Sequence, residues 1–135
     1  MTDYNVLFDA RKNVAERFET VIRLAGEYNR ASLDLLAQGL LHDPSPIVRH
    51  ECAFHLGKRL KYGKDIAPYL QQAIASDTSL FVQHEALIAL GEVGDLSYVP
   101  FIQSFLTNDY LEIRESAEIA LATLQRRYQI WNLKS

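Results

Sequence analysis

Two His-Glu pairs, His50-Glu51 and His84-Glu85, recur 34 residues apart in matching surroundings, Ile47-Val-Arg-His-Glu-Cys-Ala-Phe-His-Leu-Gly57 and Phe81-Val-Gln-His-Glu-Ala-Leu-Ile-Ala-Leu-Gly91. A repeat must renew its apolar positions, but it does not have to renew a polar pair. Imidazole nitrogens and carboxylate oxygens are ligands for divalent cations, and two histidines with one carboxylate form the set favoured by oxygen-activating non-haem iron. Zinc, with nitrogen ligands at about 2.0–2.1 Å, is the alternative ion. Consecutive residues of a helix diverge by about 100°, so Glu51 points away from an ion held by His50, toward another helix, a second metal or a substrate. His50 and His55 resemble the metalloprotease arrangement only superficially. That motif needs histidines four apart on one face, and five residues leave these about 140° askew.

The elements that position the pairs are read from the apolar pattern. Four segments align: Arg17-Phe-Glu-Thr-Val-Ile-Arg-Leu-Ala25, Arg49-His-Glu-Cys-Ala-Phe-His-Leu-Gly57, Gln83-His-Glu-Ala-Leu-Ile-Ala-Leu-Gly91 and Arg114-Glu-Ser-Ala-Glu-Ile-Ala-Leu-Ala122, at steps of 32, 34 and 31 residues. Each carries an amphipathic helical stripe. Further helical patterns lie between them at 31–41, 66–74 and 98–106, with Pro68 and Pro100 near their starts, where a missing amide is tolerated. Asp43-Pro-Ser-Pro, Asp77-Thr-Ser and Asn108-Asp supply turn and cap chemistry at the same point of successive units, and Gly57 and Gly91 are placed to end helices.

Paired helices at this spacing resemble HEAT-type repeats, which predicts an all-α domain over residues 1–135, about four helical hairpins stacked in a short right-handed solenoid. Equivalent positions on neighbouring helices would then lie about 8–10 Å apart, close enough for His50 and His84 to share one ion.

The bulk properties narrow the class. Apolar residues make up 48% and charged residues 23% of 135 residues, at a net charge of -3, which argues against nucleic-acid and membrane-surface partners. No cationic segment leads into an apolar one, and no long apolar run occurs, so a secreted or membrane-spanning chain is not expected. One cysteine, Cys52, aligned with Ala86, suits a reducing cytoplasm and a packing role. His55 aligns with Ala89 and Ala120 and reads as a packed helix residue, while His42 reads as a solvent-facing turn residue. The basic cluster Lys58-Arg-Leu-Lys-Tyr-Gly-Lys64 reads as a solvated helix end. Arg126-Arg-Tyr-Gln-Ile-Trp131 and Tyr4-Asn-Val-Leu-Phe8 could cap the stack or contribute to a dimer contact.

The two dyad segments, their 34-residue interval, and the next unit, with Glu115 in place of the histidine and Ser116 in place of the glutamate, resemble deoxyhypusine hydroxylase, a HEAT-repeat di-iron monooxygenase. The resemblance runs from about Arg17 to Trp131. That family carries two such halves and four dyads, whereas this chain has one half. In the family, each iron takes two histidines from one half and the first glutamate of the other. The resemblance therefore implies that His50 and His84 bind iron and that Glu51 of a second subunit completes the shell. It also implies that Glu85 supports the site or holds a cationic, polyamine-like or lysine-derived substrate, with Glu115 as a further acid. A two-fold homodimer would rebuild the four-dyad site. The activity implied is oxygen-dependent hydroxylation, with a di-iron centre shared across the dimer. The competing class is a non-catalytic HEAT-repeat scaffold, akin to phycobilisome-lyase repeat proteins, whose acidic groove takes a basic protein.

Overall fold

The computed structural model describes residue 9 and residues 11–130. Tyr4–Phe8 and Trp131 lie outside this range. The described residues form seven helices: α1 (Val14–Ala25), α2 (Arg30–His42), α3 (Pro46–Leu56), α4 (Gly63–Ser76), α5 (Leu80–Val93), α6 (Val99–Gln103) and α7 (Leu111–Tyr128). Short 3-10 turns at Leu60–Tyr62 and Leu96–Tyr98 lead into α4 and α6. The helices alternate between two layers. α1, α3, α5 and α7 pack side by side in one, and α2 and α4 pack in the other, each against the helix that precedes or follows it. All four aligned segments fall in the first layer. No helix among the described residues is long and apolar enough to cross a membrane.

Capping chemistry sets the helix starts. Asn13 and Asn29 close capping boxes with Glu16 and Ser32. Ser45 and Ser79 cap α3 and α5 through their side chains. Before each of these two helices an aspartate folds back on its own loop: Asp43 accepts from the Ser45 amide and Asp77 from the Ser79 amide, both at 2.9 Å, and Asn108 does the same for Tyr110 at 3.0 Å. Pro100 opens α6 as expected. Pro68 lies deeper than expected, at the sixth residue of α4, where its missing donor costs the helix the bond back toward exposed Lys64.

An arginine ladder ties the units together. Buried Arg17 pairs with fully buried Asp43 of the next loop at 3.1 Å. Arg49 pairs with Asp77 at 2.8 Å and also donates to the Asp43 carbonyl at 2.8 Å. In the third unit both partners of the pair become neutral types: Gln83 donates to the Asp77 carbonyl, and the next loop carries Asn108, whose carbonyl accepts from Arg114.

The core is a continuous leucine-rich cluster running from Val21 to Leu124. Two glycines let the first layer close tightly. A Cβ on Gly57 would lie 2.9 Å from the Ala89 Cβ, and one on Gly91 would lie 2.7 Å from the Ala120 Cα. Gly91 does not end its helix, since α5 continues to Val93. Its role is close approach of α5 to α7. Arg59 likewise departs from expectation. It is buried, donating to the carbonyls of Leu24 and Glu27 and to the Ser32 hydroxyl, so it neutralises the carbonyl end of α1. Arg127 repeats the device on α5, donating to the carbonyls of Gly91 and Gly94.

Candidate metal centre

Both dyads stand on the first layer, on α3 and α5, near the helix starts. The same helical register that buries Val48, Cys52 and Ala53, and Val82 and Ala86, turns the dyads outward to partial exposure. The pairing that results is between repeats as well as within them. His50 Nε2 donates to Glu85 Oε2 at 3.1 Å, and the same oxygen lies 3.9 Å from His84 Nε2. The Glu85 carboxylate, with a side chain 14% exposed, therefore sits between the two imidazoles.

Glu51 takes a different course. Its Oε1 is 4.0 Å from His50 Nδ1, and its Oε2 is 3.4 Å from His55 Nε2, one turn along the same helix. The repeat register explains the difference. Glu85 faces the histidine position of the preceding unit, whereas the position that aligns with it one unit before Glu51 is Phe18, which has no nitrogen to offer. Burial pushes the His55 imidazole below its ordinary pKa, opposed by the Glu51 carboxylate. Its Nε2 is buried without an aligned hydrogen bond, so His55 holds Glu51 by proximity.

The outer side of each candidate ligand is also fixed. Phe81 stacks on His50, with ring centroids 3.9 Å apart and planes within 11°. Ser116 Oγ lies 2.6 Å from His84 Nδ1. A cavity of about 390 Å³ opens beside His84 between α5 and α7, walled by Leu80, Phe81 and Ile119 and edged by Glu112, Glu115 and Ser116. Around this site the layer exposes an apolar border: Ile47 is 55% exposed, Phe81 49% and Ile119 50%.

The four residues singled out by sequence thus fall into two groups. His50, His84 and Glu85 converge, while Glu51 stands aside. Among the described residues no three His, Cys, Asp or Glu side chains are placed around one point for a metal ion. The donor chemistry nevertheless fits a borderline cation, because two imidazole nitrogens converge on one carboxylate oxygen. Phe81, Ser116 and His55 were not singled out as site residues. The 32-residue step from His84 to Ser116 and the four-residue step from Glu51 to His55 were the available signals, but neither names a contact without the helix register.

Comparison with known proteins agrees with this architecture. The HEAT repeats family matches residues 33–122. Deoxyhypusine hydroxylase of Candida albicans is 37% identical over 84 residues, covering 59% of this chain and 25% of that protein. Deoxyhypusine hydroxylase-B of Oryza sativa subsp. japonica is 32% identical over 124 residues, 90% of this chain and 40% of that protein. The structure of human deoxyhypusine hydroxylase in complex with glycerol superposes with a TM-score of 0.79 at 23% identity, covering 96% of this chain and 45% of that one, a likeness of fold. The chain spans less than half the length of the relatives it matches. A match across the greater part of its length places this chain in the HEAT-repeat family, as a deoxyhypusine hydroxylase-like member.

Proposed function

We propose that this chain supplies one half of a non-haem di-iron centre for oxygen-dependent hydroxylation, and that two copies, related by a two-fold axis, build the whole site. The observation that carries the reading is the convergence of His50 Nε2 and His84 Nε2 on one Glu85 oxygen. His50 and His84 would hold one iron per copy, and Glu51, which no histidine of the preceding unit engages, is the carboxylate left to reach the iron of the second copy. Iron bound there would supply activation of dioxygen for hydroxylation of a carbon–hydrogen bond.

The chain's own groups have separate tasks. His50 Nε2–H donates to Glu85, so ligation at that nitrogen must release the proton, and Glu85 is the acceptor already in place. Phe81 holds the His50 ring plane and walls the cavity. Its exposed face, with Ile47 and Ile119, gives an apolar border that a second copy would cover, excluding water from the centre. Glu112 and Glu115 give the cavity mouth negative charge, which suits a basic, lysine-derived or polyamine-like substrate.

The test is elemental analysis of untagged protein with its mass in solution. About one iron per chain in a dimer supports the reading. Glu51→Gln should lower iron content while His50 and His84 remain. A monomer that takes up no ferrous iron under anaerobic conditions would overturn it. The acidic, apolar-walled cavity then favours a second reading, a scaffold whose groove binds a basic segment of a protein partner.

A further inference from the structure

We propose that Ser116 is a positioning residue for His84, fixing its imidazole with the proton on Nδ1 and the Nε2 lone pair free on the side that faces Glu85. The inference rests on the metal-centre reading for its purpose, though not for its chemistry. Ser116 occupies in the fourth unit the place that Glu51 and Glu85 hold in the second and third. It is 1% exposed, and its Oγ makes two short contacts, 2.6 Å to the Glu112 carbonyl oxygen and 2.6 Å to His84 Nδ1.

A serine hydroxyl carries one proton and a carbonyl carries none. Were that proton given to His84, the Ser116 and Glu112 oxygens would face each other at 2.6 Å with only lone pairs between them. The arrangement that satisfies every atom runs one way: His84 Nδ1–H donates to Ser116 Oγ, which donates to the Glu112 carbonyl. His84 Nε2 is then the unprotonated nitrogen.

The distances to Glu85 agree independently. His50 Nε2, which donates, approaches Oε2 to 3.1 Å, whereas His84 Nε2 stands off from the same oxygen at 3.9 Å. The two imidazoles therefore hold opposite tautomers. His84 is the one ready to accept a cation, because the hydrogen bond at one ring nitrogen determines which nitrogen is free to ligate. Serine achieves this without charge, where a glutamate in the same register would add a further carboxylate to Glu85, Glu112 and Glu115 around His84.

The test uses the full metal-free chain with nitrogen-15-labelled histidine, read by NMR at pH 8. In the wild type, His84 should carry its proton on Nδ1. In Ser116→Ala the signal should move toward the Nε2-protonated form or an average of the two, while the circular dichroism spectrum stays that of the wild type. Ser116→Thr, which keeps the hydroxyl, should restore the wild-type pattern. Anaerobic titration with ferrous iron should show binding about 10- to 100-fold weaker in Ser116→Ala and near wild type in Ser116→Thr. A wild-type His84 protonated on Nε2, or a tautomer unchanged by Ser116→Ala, would overturn the proposal. If the wild type takes up no iron yet shows the Nδ1–H form and loses it in Ser116→Ala, the role of Ser116 stands and the metal-centre reading falls.

Discussion

Replacing Gly91 with alanine tests the spacing between α5 and α7 on which the site depends. The added Cβ would sit 2.7 Å from the Ala120 Cα and 2.8 Å from its carbonyl oxygen, both backbone atoms, and ordinary contact begins at 3.4 Å. The helices must part by about 0.7 Å at this point, because no side chain can swing aside. Contact this short with backbone belongs in the upper part of the range for overpacking, about 2–3 kcal/mol, and the gain in helix propensity offsets about 1 kcal/mol of it, leaving a net loss of about 1–2 kcal/mol. For a domain of this size the midpoint of thermal unfolding, followed by circular dichroism, should fall by roughly 3–8 °C. Gly26→Ala is the control. Its Cβ meets only the Arg23 carbonyl oxygen, at 3.5 Å, and its φ of -82° suits any residue, so it should be neutral or stabilising by about 0.4–1 kcal/mol. Ser116 lies one turn before Ala120 on α7, so the same parting should loosen the His84–Ser116 contact and weaken ferrous iron binding. A Gly91→Ala protein that melts at or above the wild type would refute the close-approach argument, as would a Gly26→Ala loss of equal size.

Arg17→Ala strips the charge partner from fully buried Asp43 and should cost about 3–5 kcal/mol in urea unfolding; a loss below 1 kcal/mol would show that the other Asp43 contacts suffice. Phe81→Ala should cost little stability, since the ring is half exposed, yet weaken iron binding several-fold by releasing the His50 ring plane; equal affinity in the two proteins would count against stacking as an orienting device. Cys52 is fully buried, and burial pushes its thiol well above the ordinary range, so maleimide labelling should proceed only at the rate of unfolding. Rapid labelling of the native chain would mean that α3 opens locally.

Much of the layer architecture was legible because apolar periodicity is a local property. The four leucine-anchored segments all became helices of one layer, and the turns at Asp43, Asp77 and Asn108 became the loops that lead into α3, α5 and α7, though the last supplies no side-chain cap. What the linear pattern could not carry is register between helices. Gly91 reads as a terminator in sequence because glycine ends many helices, yet here it marks backbone contact with a helix 29 residues further on. Arg59 reads as one of several solvated cations, and only the approach of α1 shows why it alone is buried. The site shows the same limit. The 100° divergence says only that Glu51 and His50 leave the helix in different directions, and the partners that Glu51 and Glu85 then meet, His55 and His50, depend on register along and between helices.

That register makes the seam between two repeats, rather than either repeat alone, the unit of chemistry. A lone dyad has no facing partner, and the stack acquires one seam of the His50–Glu85 kind for each adjacent pair of dyads. Excising one whole unit between α3 and α7 would leave a shorter stack of the same construction, yet would bring Ser116 against His50 and leave no second imidazole beside it. Such a chain would keep its fold and lose its site, so in this architecture stability scales with the number of repeats while chemistry depends on their order.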